Sequence, residues 1–384
     1  MIQILILLSL IPPPLLAWST RHHQEMGRLA LEEVAPAWGL LKPVPPKPLH
    51  SFLQKLPRET SQHFSDWLGI NPAVNIERRS PKEVGRSTLT PLEILSYYSS
   101  DPDDGRDQDL FVHDREGRPV FRYRDQRWFG SVTGLDSQAF RHIEKPPFSF
   151  RHPLATFGFP FRTLGEATRR AEIYYLLSRL AFSYEEDYWG WRFLASSFHY
   201  LQDLHNPYHA GQVTPELLLS GLKGYARWGF DKGEPVFRTI AHLVSNEHRF
   251  FETLAESFPI LEEVRGNDLS PDVGSVRKLA EGVRDESNRY FPELTLAIQT
   301  LADPVLQTDY SFRSEEPPLD DPKKFLREGA PPGLLKRVEE IARERFRSAG
   351  RVLRGEVQML LNSPREGPDK LLPAIETLLA PQGK

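Results

Sequence analysis

From residue 164 onward the chain carries apolar residues three and four positions apart, and that spacing leaves few folds open. Segments 164–182, 188–204, 215–228, 234–258, 276–301 and 334–361 each put their apolar side chains on one face of a helix. Pro292 falls inside the segment 276–301 and should kink or split it. Upstream, 29–41 has helical spacing and stops before the proline-rich "KPVPPKPLH"; 51–68 is helical with an interruption at Pro57; 91–98 is a further short helix. Strand-like alternation is confined to 110–124, "LFVHDREGRPVFRYR", which turns at Glu116 and Gly117 and predicts a small hairpin. "HIEKPPFSFRHP" and "FGFPF" are read as loops. The fold class is therefore all-α: a multi-helix domain with a hairpin excursion. An acidic, proline-rich linker, "RSEEPPLDDPKK", introduces a C-terminal helical extension.

The chain contains no cysteine, so thiolate metal sites, disulfides and a cysteine nucleophile are excluded. Any metal must be held by His, Asp, Glu or backbone groups, which zinc accepts. A net charge of -4 gives no global basic field of the kind that marks a nucleic-acid binder. The first 17 residues, "MIQILILLSLIPPPLLA", combine a short apolar run with a small residue at position 17, a signal-peptide pattern that predicts cleavage after Ala17 and a secreted or periplasmic protein; retention as an uncleaved anchor is the alternative. The expected organisation is 1–17 signal peptide, 18–309 catalytic domain, and 310–384 linker and helical extension.

The densest chemistry lies in "FHYLQDLHNPYHAGQ", which holds His199, Asp203, His205 and His209. His199 and Asp203 are four apart on a predicted helix and share one face. Such a pair serves as a surface ion pair or shares a metal. Pro207 helps end the helix, and His209 follows from the next turn. In "NEHRFFETL", His248 and Glu252 repeat the same spacing on another helix. Cleavage after Ala17 would expose Trp18, whose free amine and carbonyl can chelate a metal, with His23 five residues on.

Taken together, these elements resemble the zinc-dependent phospholipase C and S-one/P-one nuclease superfamily. Its central H-x-x-x-D, x5, H motif, with Pro before the last His, is matched by His199, Asp203, Pro207 and His209. The later H-x-x-x-E/D is matched by His248 and Glu252, the earlier D-x-x-R by Asp103 and Arg106, and a further His by His142 in "AFRHIEKPP". The resemblance spans Trp18 to about Glu252 and implies three zinc ions. Trp18, His23 and Asp203 would hold one; Asp103, His142, His199 and a bridging Asp203 a second; His209, His248 and Glu252 the third. Asp103 would also act catalytically, orienting or deprotonating a water. Asp101 competes with Asp103, His22 with His23, and His113 with His142. His205 is read as a helix-end or supporting group, His242 as structural, and His50, His63 and His152 have no partner pattern.

The implied activity is hydrolysis of phosphate esters by metal-activated water. The nuclease pattern has Phe directly after the further His and Asp two residues beyond it, but this chain has Ile143 and Lys145. A phospholipase C-like enzyme is therefore expected, acting on a phospholipid at a membrane surface, with Tyr97, Tyr98, Phe148 and Phe150 available for a cation box. The alternatives are a single-strand nuclease or 3′-nucleotidase acting on nucleic-acid phosphodiesters, and a non-catalytic helical binding module stabilised by zinc.

Overall fold

A helix buried on all sides belongs at the centre of a protein, and one here meets that description. In the computed structural model every residue from Tyr188 to Leu204 is buried, within the helix Asp187–Leu204. The structure describes residues 18–67, 86–103, 141–145, 163–211, 236–271, 273–302, 326–364 and 366–379. In chain order the helices are α1 (Thr20–Leu31), α2 (Leu49–Leu53), α3 (Arg58–Trp67), α4 (Pro91–Tyr98), α5 (Ala167–Ser183), α6 (Asp187–Leu204), α7 (Pro207–Ala210), α8 (Val236–Glu256), α9 (Val276–Leu301), α10 (Pro332–Asn362) and α11 (Pro368–Leu379). A 3-10 turn covers Leu261–Val264, and β1 (Glu144–Lys145) pairs antiparallel with β2 (Leu164–Gly165). The described part is thus mostly helical, as the periodicity predicts. The predicted hairpin at 110–124, the predicted helix at 215–228 and residues 1–17 lie outside the described residues.

Local chemistry sets the boundaries. α4 opens with a capping box: Thr90 Oγ1 accepts from the Glu93 backbone, the Glu93 carboxylate accepts from the Thr90 backbone, and Pro91 fills the first turn. Pro57 separates α2 from α3, as expected. The predicted helix at 29–41 is displaced: α1 runs from Thr20 to Leu31, and turns follow through Leu41, because Pro36 has no N–H to continue the ladder. Pro292 does not split α9, which is one helix from Val276 to Leu301.

The β ribbon was not legible beforehand. It depends on Gly165, whose φ of 102° is open to glycine, and where a Cβ would stand 1.9 Å from the Ile143 carbonyl oxygen. This close approach pins the short segment that carries His142.

α5 and α4 flank α6, and α1, α9 and α10 close round it. One apolar cluster joins Trp18 and Met26 of the first segment to Phe193 and Phe198 of α6, Phe251 of α8, and Phe346 and Leu353 of α10. α10 therefore shares the core, with Val338, Ile341, Phe346 and Leu353 buried. No described helix is long and apolar enough to cross a membrane.

Candidate metal centre

The central helix presents His199, Gln202 and Asp203 on one face, three and four residues apart. Four other elements converge on that face. α1 brings His23, the turn after α4 brings Asp103, the residues before β1 bring His142, and α7 brings His209. α7 begins where Asn206 caps it by accepting the Tyr208 N–H at 3.0 Å, with Pro207 in the first turn. It ends at Gly211, whose missing Cβ leaves room for the Phe291 ring.

His23, Asp103, His142, His199, Asp203, His209 and His248 are buried, and Glu252 nearly so. Three groups of potential ligand atoms lie within 4.8 Å of one another: His23, His199 and Asp203; Asp103, His142 and His199; and His209, His248 and Glu252. Asp203 Oδ2 lies 2.8 Å from His142 Nδ1 and 3.1 Å from His199 Nε2, while its Oδ1 lies 3.6 Å from His23 Nε2. Asp103 faces the same three rings, at 3.5 Å from His23, 3.8 Å from His142 and 3.6 Å from His199. His248 Nε2 stands 2.7 Å from Glu252 Oε1.

Carbonyl oxygens only accept, so a ring nitrogen facing one must carry the hydrogen. His199 Nδ1 donates to Ser99 O at 2.7 Å, and His209 Nδ1 to His142 O at 2.8 Å. His23 Nδ1 donates to Gln202 Oε1 at 2.6 Å, an oxygen identified by Gln202 Nε2 donating to His23 O. In His23 and His209 this leaves Nε2 bare toward the cluster, the tautomer a metal ligand requires, whereas His199 Nε2 faces Asp203 and His142.

The electrostatics agree. Burial drives His23 and His248 well below the ordinary imidazole range and takes His209 down to about 4, so these rings are neutral. Burial also opposes charge on His199, but Asp203 and Asp103 outweigh it and raise this imidazole to about 9. Burial likewise disfavours the Asp203 carboxylate; attraction to His199 and hydrogen bonding from His142 hold it well below its ordinary range. Glu252 is pushed well above its own by burial, then by Glu256, Asp203 and Asp103. His23 Nε2, Asp203 Oδ1, His209 Nε2 and His248 Nδ1 are buried and make no hydrogen bond among the described residues. Buried acceptors grouped around carboxylates are costly unless a cation compensates them. The donor set therefore fits metal ions.

Trp18, the remaining predicted ligand, is fully buried beside the cluster. Its indole donates to Gln202 O at 3.3 Å, one residue from Asp203. The competing pairs separate. Asp101 points away and binds Arg192 at 2.7 Å, while Asp103 joins the cluster. His22 turns to Glu256 at 3.0 Å, while His23 joins the cluster. His142 is in the cluster; His113 and Arg106 lie outside the described residues. His205 caps the end of α6, donates to Leu201 O and belongs to none of the three groups. Of the proposed cation box, Tyr98 is buried with the Arg192 guanidinium 3.7 Å from its ring centre, and so is not open to a ligand; Phe148 and Phe150 lie outside the described residues.

The supporting residues escaped sequence reasoning. Gln202 shares the face of His199 at a spacing of three, which is a usable signal. Asn206 before Pro207 is an N-cap signature. It donates 2.7 Å to Glu252 Oε1, with its nitrogen 2.9 Å from His248 Nε2. Lys145 lies 5.7 Å from the Phe291 ring centre, and burial lowers its amine to about 7. A surface cavity of about 300 Å³, lined among others by Val44, Phe182, Trp191 and Leu371, shares no residue with the cluster and has no histidine in its lining.

A scan against protein-family models finds none that matches this chain, and a search of curated proteins finds no significant relative.

Proposed function

We propose that this chain is a secreted zinc-dependent phosphodiesterase with the fold and three-ion centre of the phospholipase C and S-one/P-one nuclease superfamily, and that its action is phospholipase C-like. The observation that carries this reading is the convergence of three buried His/Asp/Glu groups, drawn from α6 and five other elements, beside one face of α6. A structural metal needs one closed set of four ligands; three adjoining groups suit the neutralisation of a phosphodiester.

Nitrogen and oxygen donors without thiolates suit zinc. Trp18 with His23, Asp103 with His142 and His199, and His209 with His248 and Glu252 would hold the ions, with Asp203 shared. When bound, they would supply Lewis acidity to the phosphoryl oxygens and lower the pKa of a water toward about 7. The chain's own residues do the rest. Ser99 O, Gln202 Oε1 and His142 O fix the tautomers of His199, His23 and His209. We assign Asp103 the task of orienting the attacking water and taking its proton. Ile143 and Lys145, in place of the nuclease Phe and Asp, favour a phospholipid over a nucleic-acid base, and the membrane surface is the expected place of action.

The test uses the protein beginning at Trp18. It should contain zinc, hydrolyse a chromogenic phosphodiester, and lose turnover with a chelator. Parallel assays on phosphatidylcholine, single-stranded DNA and a nucleoside 3′-phosphate assign the substrate, and faster DNA cleavage would favour the nuclease reading. Bound zinc without turnover on any of them would favour the binding module.

A further inference from the structure

α8 carries His248, Glu252 and Glu256 at steps of four, so one stripe of the helix serves two neighbours. The first two belong to a metal-binding group. The third reaches the beginning of α1. Glu256 Oε1 accepts the Ser19 backbone N–H at 2.9 Å and lies 3.0 Å from His22 Nδ1. Ser19 Oγ lies 2.9 Å from the same ring nitrogen.

Ser19 occupies the N-cap of α1, yet its side chain makes no capping bond, and the first turn of α1 contains no acidic residue. Glu256 supplies from another helix both the acceptor and the negative charge that a helix N-terminus calls for. One residue upstream, Trp18 is wedged between Phe346 and Phe251, at ring distances of 4.9 and 5.9 Å, and its indole is tied to Gln202. Gln202 also holds His23. The stretch 18–23 is therefore clamped from α6, α8 and α10 just where it enters the cluster.

We infer that Glu256, together with His22, is a positioning residue that locks Trp18 and Ser19 so that the amino-terminal ligands meet Asp203 and His199. The inference rests on the functional reading above. It gives His22 a role distinct from ligation, and it couples the His248–Glu252 side of the centre to the Trp18–His23 side through one helix face. A mere helix cap would affect folding and leave metal affinity alone; a positioning residue changes the affinity of one ion.

The experiment titrates the metal-free processed protein with zinc against a competing chelator, alongside thermal unfolding of the metal-free form. Glu256→Ala should weaken one of three zinc equivalents by about 10- to 100-fold, the range for outer partners of metal ligands, and leave the other two near wild type. Glu256→Gln keeps an acceptor for the Ser19 N–H and should restore most of that affinity. His22→Ala should weaken the same equivalent. Should Glu256→Ala fail to fold, the other two variants carry the comparison. Wild-type affinity for all three equivalents in the Glu256 and His22 variants overturns the inference and spares the functional reading. Equal weakening of all three, in step with a lower melting temperature, also overturns it. A wild-type protein that takes up no zinc overturns the functional reading and this inference with it.

Discussion

His199 and Asp203 stand one turn apart on the central helix, with Nε2 of the ring 3.1 Å from Oδ2 of the carboxylate. Each also contacts groups from other segments: Ser99, His142 and Asp103 for the histidine, His142 and His23 for the aspartate. Two of the three groups that could hold a metal include His199, and Asp203 belongs to one while touching the other.

Asp203→Asn keeps the size of the side chain and removes the charge shared among three imidazoles. Outer partners of metal ligands cost about 10- to 100-fold in affinity or activity. Loss of a shared ligand should exceed that, lowering phosphodiester turnover by more than about 100-fold and zinc content by at least one equivalent. Elemental analysis and the chromogenic assay measure both.

Glu252 faces His248 at 2.7 Å and accepts from Asn206, away from the His23 side. Glu252→Ala should therefore remove a single equivalent of zinc and leave two. Competitive zinc titration reads this directly, and loss of all three equivalents would contradict the division into groups.

Asp101 and Asp103 are two residues apart and have opposite duties. Asp101 pairs with the buried Arg192, so Asp101→Asn removes the charge facing that guanidinium and should lower stability in denaturant unfolding by up to about 3–5 kcal/mol, with zinc content unchanged. Asp103→Asn should do the reverse: lower zinc content and abolish turnover, at a smaller stability cost to the metal-free protein.

A buried carboxyl outside the centre sets a pH dependence. Ser197 Oγ donates to Ala171 O at 2.8 Å and lies 2.5 Å from Glu356 Oε1. Burial raises the Glu356 carboxyl to about 8, against the serine hydrogen bond, which lowers it. Between the ordinary carboxyl range and about pH 8 the unfolded chain has released this proton and the folded chain retains it. Stability therefore falls as pH rises through that window, by about 1.4 kcal/mol per pH unit from this group, and is flat above it. Glu356→Gln should remove that slope and be the more stable protein at pH 8, as chemical unfolding at pH 5 and pH 8 would show.

Much of this arrangement can be read from spacing. Helices α4, α6, α9 and α10 follow from apolar periodicity, and the steps of four at His199/Asp203 and His248/Glu252 point to shared faces. Which of Asp101 and Asp103, and which of His22 and His23, faces the cluster depends on where α4 ends and how α1 is rotated, and so on packing against α6. α1 lies upstream of the helix that the spacing predicts, because its start adjoins the cleavage pattern and its apolar stripe is short. Gln202, Asn206 and Glu256 are polar residues whose work is to orient others, and composition carries no trace of it. The β ribbon depends on one glycine at positive φ and is too short to show alternation.

Anomalous diffraction at the zinc edge, from crystals of the protein beginning at Trp18, tests whether metal ions gather at the face of α6. Three zinc peaks are predicted, beside Trp18 and His23, beside Asp103, His142 and His199, and beside His209, His248 and Glu252. Crystals grown with zinc that show no peak at these residues would contradict the account.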